Sequence, residues 1–185
     1  MRRLLAFTFA VCLVASARPA AAPAAGAWAG VSLMEPRATM SIKRALTGAV
    51  DWLARDECQQ IFTEFHDQAG RPLTVRLAEL HVTAADFLRL IVWRDGTYTS
   101  QCQNGPLAFT SPGSRLVFVC SRKFADLTFG DWDLARAVVI HEALHSLGLG
   151  ENPPSSLEIT ARVRARCAGR ATDKGTEKAT DKGHR

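Results

Sequence analysis

No two of the five cysteines stand at the C-x-x-C spacing of a cysteine metal site or a redox pair. No phosphate-binding loop of the G-x-x-x-x-G-K-[ST] type is present, and Ser32 and Ser114 lack the context of a nucleophile elbow. The N-terminal apolar run from Leu4 to Ala15 is too short to span a bilayer comfortably. There is one tyrosine, Tyr98, and no methionine follows Met40. A basic excess is also missing where it would count. The whole chain carries 23 basic and 18 acidic residues, net +5, but the ends hold the surplus. Arg2, Arg3 and Arg18 lie in the first segment, and five basic residues against three acidic ones follow Cys167. The remainder has fifteen of each sign, so no basic footprint for nucleic acid is expected within the fold.

What is present divides the chain in three. Arg2 and Arg3, the apolar run and the small residues Ala15-Ser16-Ala17 have the form of a signal peptide. A membrane anchor is the rival reading, and Cys12 inside the run does not look like a lipid-attachment cysteine. The Ala/Pro-rich stretch that follows reads as a flexible leader, so residues 1–25 are set apart from the fold. At the other end Ala171-Thr172-Asp173-Lys174-Gly175 returns as Ala179-Thr180-Asp181-Lys182-Gly183, polar and without an apolar face. Residues 169–185 therefore read as a disordered tail. Residues 26–168 are the size of one domain. That domain keeps Cys58, Cys102, Cys120 and Cys167, an even set that suits two disulfides in a secreted or periplasmic protein. Three connectivities are possible. Cys102–Cys120 would close a local loop and Cys58–Cys167 would tie two helices, and this pairing is favoured.

Ile42, Leu46, Ala49, Val50 and Leu53 recur at helical spacing and predict a helix over about Met40 to Arg55, capped by Thr39 or Ser41. Leu73 to Leu77 alternates as a strand would. Phe87 to Trp93 reads as a strand, although Ala84-Ala85-Asp86 can equally open a helix. Asn104-Gly105-Pro106 and Ser111-Pro112-Gly113 are turns, and Leu116 to Cys120 is the clearest strand. From Asp131, a plausible N-cap, to Leu147 runs a helix apolar on two sides, which places it centrally. Gly148 ends it. Ser155-Ser156-Leu157-Glu158 has the spacing of a capping box and opens a last helix to about Cys167, with Ile159, Val163 and Cys167 on one face. The order predicts an α+β domain with a backing helix, a small sheet, the central helix and a C-terminal helix. Trp28, Trp52, Trp93 and Trp132 are scattered and read as core or rim.

Late in the central helix stands His141-Glu142-Ala143-Leu144-His145. Residues four apart share a helix face, so the two imidazoles can grip one metal ion while Glu142 handles the proton of an attacking water. Histidine is rare in the chain, with five in all. This H-E-x-x-H pattern points to zinc-assisted hydrolysis, with zinc as cofactor and Glu142 as the catalytic residue. A packed and hydrogen-bonded histidine pair is the plain alternative. A catalytic zinc needs a third protein ligand, and Glu151 and Glu158 are the candidates. Each has an ordinary reading, as a loop acid and as the acid of the capping box. No oxyanion stabiliser is assigned to Tyr98, His66 or His81.

His141-Glu142-x-x-His145-Ser146-Leu147-Gly148-Leu149-Gly150-Glu151 resembles the H-E-x-x-H-x-x-G-x-x-H signature of the metzincins, above all its matrixin version. The resemblance covers about eleven residues and implies that the glycine turn brings the third ligand, here Glu151, to the zinc. The chain departs from it in two places: a glutamate replaces the third histidine, and no methionine is left to form the family's methionine turn. Glu158, on the helix after the motif, resembles instead the gluzincin arrangement, though much closer to the motif than in most of that family. More broadly the chain resembles short, exported, bacterial zincin-like metallopeptidases. That implies a zincin-like domain, a peptide or protein substrate, and a strand edge beside the site for an extended peptide, with Leu116 to Val119 as the candidate and an ordinary core strand as its other reading. The protein is expected to be a monomer, with no nucleic-acid partner and no stable membrane insertion after signal removal. A non-catalytic, disulfide-stapled extracytoplasmic binding domain with a structural or vestigial metal site is the second expectation. Hydrolysis of a non-peptide amide is the third.

Overall fold

The computed structural model describes residues 28–169 except 104, 128 and 129. The expected signal peptide and leader, and the repeated tail after Gly169, lie outside the described residues. Along the chain run β1 (Val31–Ser32), α1 (Pro36–Leu53), α2 (Asp56–Gln59), α3 (Ile61–Glu64), α4 (Leu73–Glu79) and α5 (Ala84–Arg89). There follow β2 (Val92–Asp95), α6 (Ser100–Gln103), β3 (Ala108–Phe109), β4 (Leu116–Val119), α7 (Ser121–Leu127), α8 (Trp132–Ser146) and α9 (Ser156–Cys167). The fold is α+β, as expected, with one four-stranded sheet among the described residues.

The backing helix starts earlier than its hydrophobic pattern suggests. Pro36 occupies the first turn of α1, where its fixed φ and missing N–H cost nothing, and no side chain caps the helix. Thr39, one of the two expected caps, lies inside and turns its hydroxyl back to the Glu35 carbonyl at 3.1 Å. The buried face of α1 is Ala38, Ile42, Ala45, Leu46, Ala49, Trp52 and Leu53, and it packs against α8.

The expected strand at Leu73–Leu77 is a helix. Leu73 and Leu77 are buried while Val75 between them is 39% exposed. The apolar pair thus follows the i, i+4 period of a helix, and the apparent alternation arose because a single residue, Val75, filled the middle position. Phe87 to Trp93 is divided rather than uniform. Thr83 caps α5 by accepting from the Asp86 N–H, and strand pairing begins only at Val92.

In the sheet β1, β2 and β4 run parallel and β3 is antiparallel to β4, in the order β1-β2-β4-β3. Trp93, Val117 and Val119 are fully buried. Leu116–Val119 is therefore an interior strand with partners on both sides, the ordinary core strand of the two readings and not the edge that the resemblance implied. The outer strand on that side is β3, and it is the strand that packs on α8.

Two disulfides close the fold with the favoured pairing, Cys58–Cys167 and Cys102–Cys120. Such bridges belong to oxidising compartments. No helix among the described residues is long and apolar enough to cross a membrane.

Candidate metal centre

Helix α8 positions the motif. Asp131 caps it by accepting the Leu134 N–H at 2.8 Å. The helix is buried without interruption from Ala137 to Ser146, so His141, Glu142 and His145 enter the interior on a central strut. Burying three ionisable groups costs energy unless each finds a partner. Each histidine does. His145 Nδ1 lies 2.8 Å from the Leu149 carbonyl, an acceptor only, so Nδ1 carries the proton and Nε2 presents its lone pair. His141 Nδ1 meets the Thr160 hydroxyl at 2.9 Å. The two Nε2 atoms converge to 2.9 Å.

Gly148 makes the turn that brings in the acid. Its φ of +113° is open to glycine, and an added Cβ would stand 3.2 Å from the Asp67 Cβ. The turn is pinned from outside, where Gln68 N–H donates to the Gly148 carbonyl and Asp67 bridges to Leu149. Beyond it Glu151 Oε1 comes to 3.4 Å from His145 Nε2 and 3.7 Å from His141 Nε2. One ligand atom from each of His141, His145 and Glu151 lies within 4.8 Å of the others, close enough to share one cation. Two imidazole nitrogens and a carboxylate oxygen form a donor set that suits zinc, and the second ring nitrogens held by Thr160 and Leu149 are what ligating histidines ordinarily show.

Glu158 is elsewhere. Its carboxylate accepts from the Ser155 N–H at 2.8 Å and the Ser155 hydroxyl at 2.7 Å. These bonds hold Glu158 below the usual carboxylate range. It closes the capping box of α9 and is not gathered with the histidines. Of the other residues weighed from sequence, Tyr98 is 83% exposed, His81 is exposed, and His66 is exposed on the wall of a second cavity that also reaches Glu151.

Glu142 is the buried acid of the site. Its Oε2 is shielded from solvent and has no hydrogen bond among the described residues. Burial first, and the Glu151 carboxylate second, push it up to about 8. Burial and then His145 push His141 down to about 3. Both shifts favour neutral forms, so the site keeps an imidazole ready for a metal and a carboxyl group able to exchange a proton near neutrality.

The three residues and Glu142 line a cavity of about 550 Å³. Its other walls include Gln101, Pro106, Pro112, Ser156 and the outer strand through Ala108, Phe109 and Thr110. The loop after that strand is tied to the motif helix, since Gly113 N–H donates to the His145 carbonyl at 2.8 Å. Sequence reasoning missed β3 as the site's strand and Thr160 as a histidine partner. The two flanking turns, which bracket Leu107 to Thr110, were the available signal for the strand. The chain matches none of the protein-family models, curated proteins or solved structures compared with it.

Proposed function

We propose that the protein is an exported, zincin-like zinc metallopeptidase in which His141, His145 and Glu151 hold the ion and Glu142 is the general base. The observation that carries this reading is the convergence of three ligand atoms beside a buried carboxyl group, one of whose oxygens has no hydrogen bond among the described residues, on the wall of an open cavity. A zinc ion there would polarise a water molecule and the scissile carbonyl. Glu142 takes the proton of the attacking water as its oxygen bonds to the carbonyl carbon. Glu142 then returns a proton to the amine nitrogen as the C–N bond breaks, leaving a carboxylic acid and an amine. A bound zinc ion would favour the ionised form of Glu142, the form that accepts the water's proton.

An extended peptide is the substrate that the cavity wall favours. Strand β3 has β4 on one side only, and its Ala108–Phe109 backbone stands beside the histidines. A peptide added there as a further strand would gain main-chain hydrogen bonds and present its carbonyl toward the site. Export is supported by the signal-like N-terminus and by the two disulfides.

Replacing Glu142 by Gln tests the mechanism. The variant should bind zinc as the parent does and cleave an unfolded protein substrate about 10²–10⁴-fold more slowly, the usual contribution of a positioned acid–base group. Cleavage at the parental rate would exclude Glu142 as the base. A parent protein purified without stoichiometric zinc, and unable to take it up, would favour the non-catalytic binding domain. Zinc uptake with no cleavage of peptides but cleavage of another amide would move the substrate class.

A further inference from the structure

We propose, on the footing that His141, His145 and Glu151 hold zinc, that Thr160 is a positioning residue that aims His141 at the ion. The two histidines sit one helical turn apart but are held by different means. The ring of His145 is fixed by a carbonyl of its own chain turn, Leu149, next to the Gly148 bend. The ring of His141 is fixed from another helix, by the Thr160 hydroxyl of α9 at 2.9 Å.

The placement of that hydroxyl is specific. A helical threonine commonly turns its hydroxyl back to the carbonyl one turn earlier, as Thr39 does to Glu35 and Thr47 to Lys43 in α1. Thr160 instead meets a ring nitrogen on the neighbouring helix. Its branched Cβ restricts χ1, so the hydroxyl has few other positions to visit. The helix that presents it is held at both ends. Ser155 and Glu158 form the capping box at its start. At its end Cys167 is bonded to Cys58, and the Cys167 carbonyl accepts from the Arg55 guanidinium. Ile159 and Val163 are fully buried between those ends. Thr160 is therefore a strut from a braced helix to a metal-site histidine. Glu158 serves the centre indirectly, by starting the helix that carries the strut.

With zinc on Nε2 the neutral His141 ring carries its proton on Nδ1, and the Thr160 hydroxyl accepts that N–H and fixes the plane of the ring. Removing such an outer partner lowers metal affinity by about 10–100-fold while the ligands stay in place. Zinc titration of the full chain against a chromophoric chelator tests this with Thr160→Val, which keeps the shape and deletes the hydroxyl, and with Thr160→Ser, which keeps the hydroxyl. Thr160→Val should lose about 10–100-fold in zinc affinity and Thr160→Ser should bind like the parent. Both variants should fold in chelator, with Thr160→Val melting somewhat lower because the buried His141 Nδ1 loses its partner and Thr160→Ser melting like the parent. Independently of any variant, the zinc-loaded parent should show a His141 Nδ1–H signal protected from solvent exchange by ¹H–¹⁵N NMR. Parental affinity in Thr160→Val, equal losses in Thr160→Val and Thr160→Ser, or an unprotected His141 Nδ1–H would overturn the role. A parent that itself takes up no zinc would instead overturn the metal centre, and that outcome is distinguishable because all three proteins would then fail alike.

Discussion

Glu151 and Glu158 carry the same carboxylate and are sorted by what surrounds them. Glu151 follows the Gly148 bend and comes within 3.4 Å of His145 Nε2. Glu158 is occupied by the hydroxyl and N–H of Ser155. Spacing from the histidines favoured the first, and the capping-box pattern already supplied the second with its task. The decisive fact, which way each loop turns, depends on Asp67 and Gln68 pressing on Gly148 from a distant part of the chain. Local sequence carries no trace of that contact. Replacing Glu151 by Ala should therefore abolish tight zinc binding and leave metal-free stability nearly unchanged. Replacing Glu158 by Ala should lower stability through the lost half of the capping box and leave the zinc ligands intact. Chelator competition and urea denaturation on the pair separate the two roles. Loss of tight zinc binding in the Glu158 variant alone would reverse the assignment.

At the level of elements, legibility followed the range of the forces involved. Asp131, Gly148 and the Ser155–Glu158 box act within a turn or two of the chain, and the ends of α8 and the start of α9 were readable from them. The Leu73–Leu77 segment was not, because a strand and a helix can share so short an apolar pattern and burial by neighbours decided between them. Strand β3 is two residues long and exists only because β4 lies beside it, so no propensity announces it. The fold's cross-links were readable, since four cysteines in an export context allow few pairings. Their separations also set an order. Cys58–Cys167 spans 109 residues and Cys102–Cys120 spans 18. A longer closed loop restrains the unfolded chain more, by about 4.7 kcal/mol for roughly a hundred residues against about 3 for roughly fifteen. The double serine variant at Cys58 and Cys167 should accordingly lose more stability than the one at Cys102 and Cys120. It should also lose zinc affinity, because α9 would be released at the end beyond Thr160. Denaturant melts of the two variants check the order, and equal losses would mean that loop length does not govern it.

Across the whole molecule, the buried site should leave its mark on the pH dependence of folding when metal is stripped away. His141 is held near 3 in the folded protein against an ordinary 6.5. Between those values the unfolded chain binds a proton that the folded one refuses, so stability rises with pH and is complete above 6.5. Glu142 acts in the opposite sense. It is raised to about 8 from 4.5, so the folded protein keeps a proton that the unfolded chain releases. Its contribution is complete below 4.5 and is lost as pH climbs to 8. The two slopes oppose each other from 4.5 to 6.5 and leave a plateau there. Beyond it, from 6.5 to 8, the Glu142 slope stands alone, with a limit of about 1.4 kcal/mol per pH unit for one proton. Urea melts in chelator from pH 3 to 9 should therefore place the optimum on that plateau, and Glu142→Gln should flatten the fall above it. Zinc reverses the logic, because a cation favours an ionised Glu142 and a neutral His141 and binds only the folded state. Zinc-loaded protein should then keep its stability through pH 8, and the gap between loaded and stripped melts should widen with pH. Stripped protein that still gains stability between 6.5 and 8 would show that Glu142 is not held neutral by its surroundings.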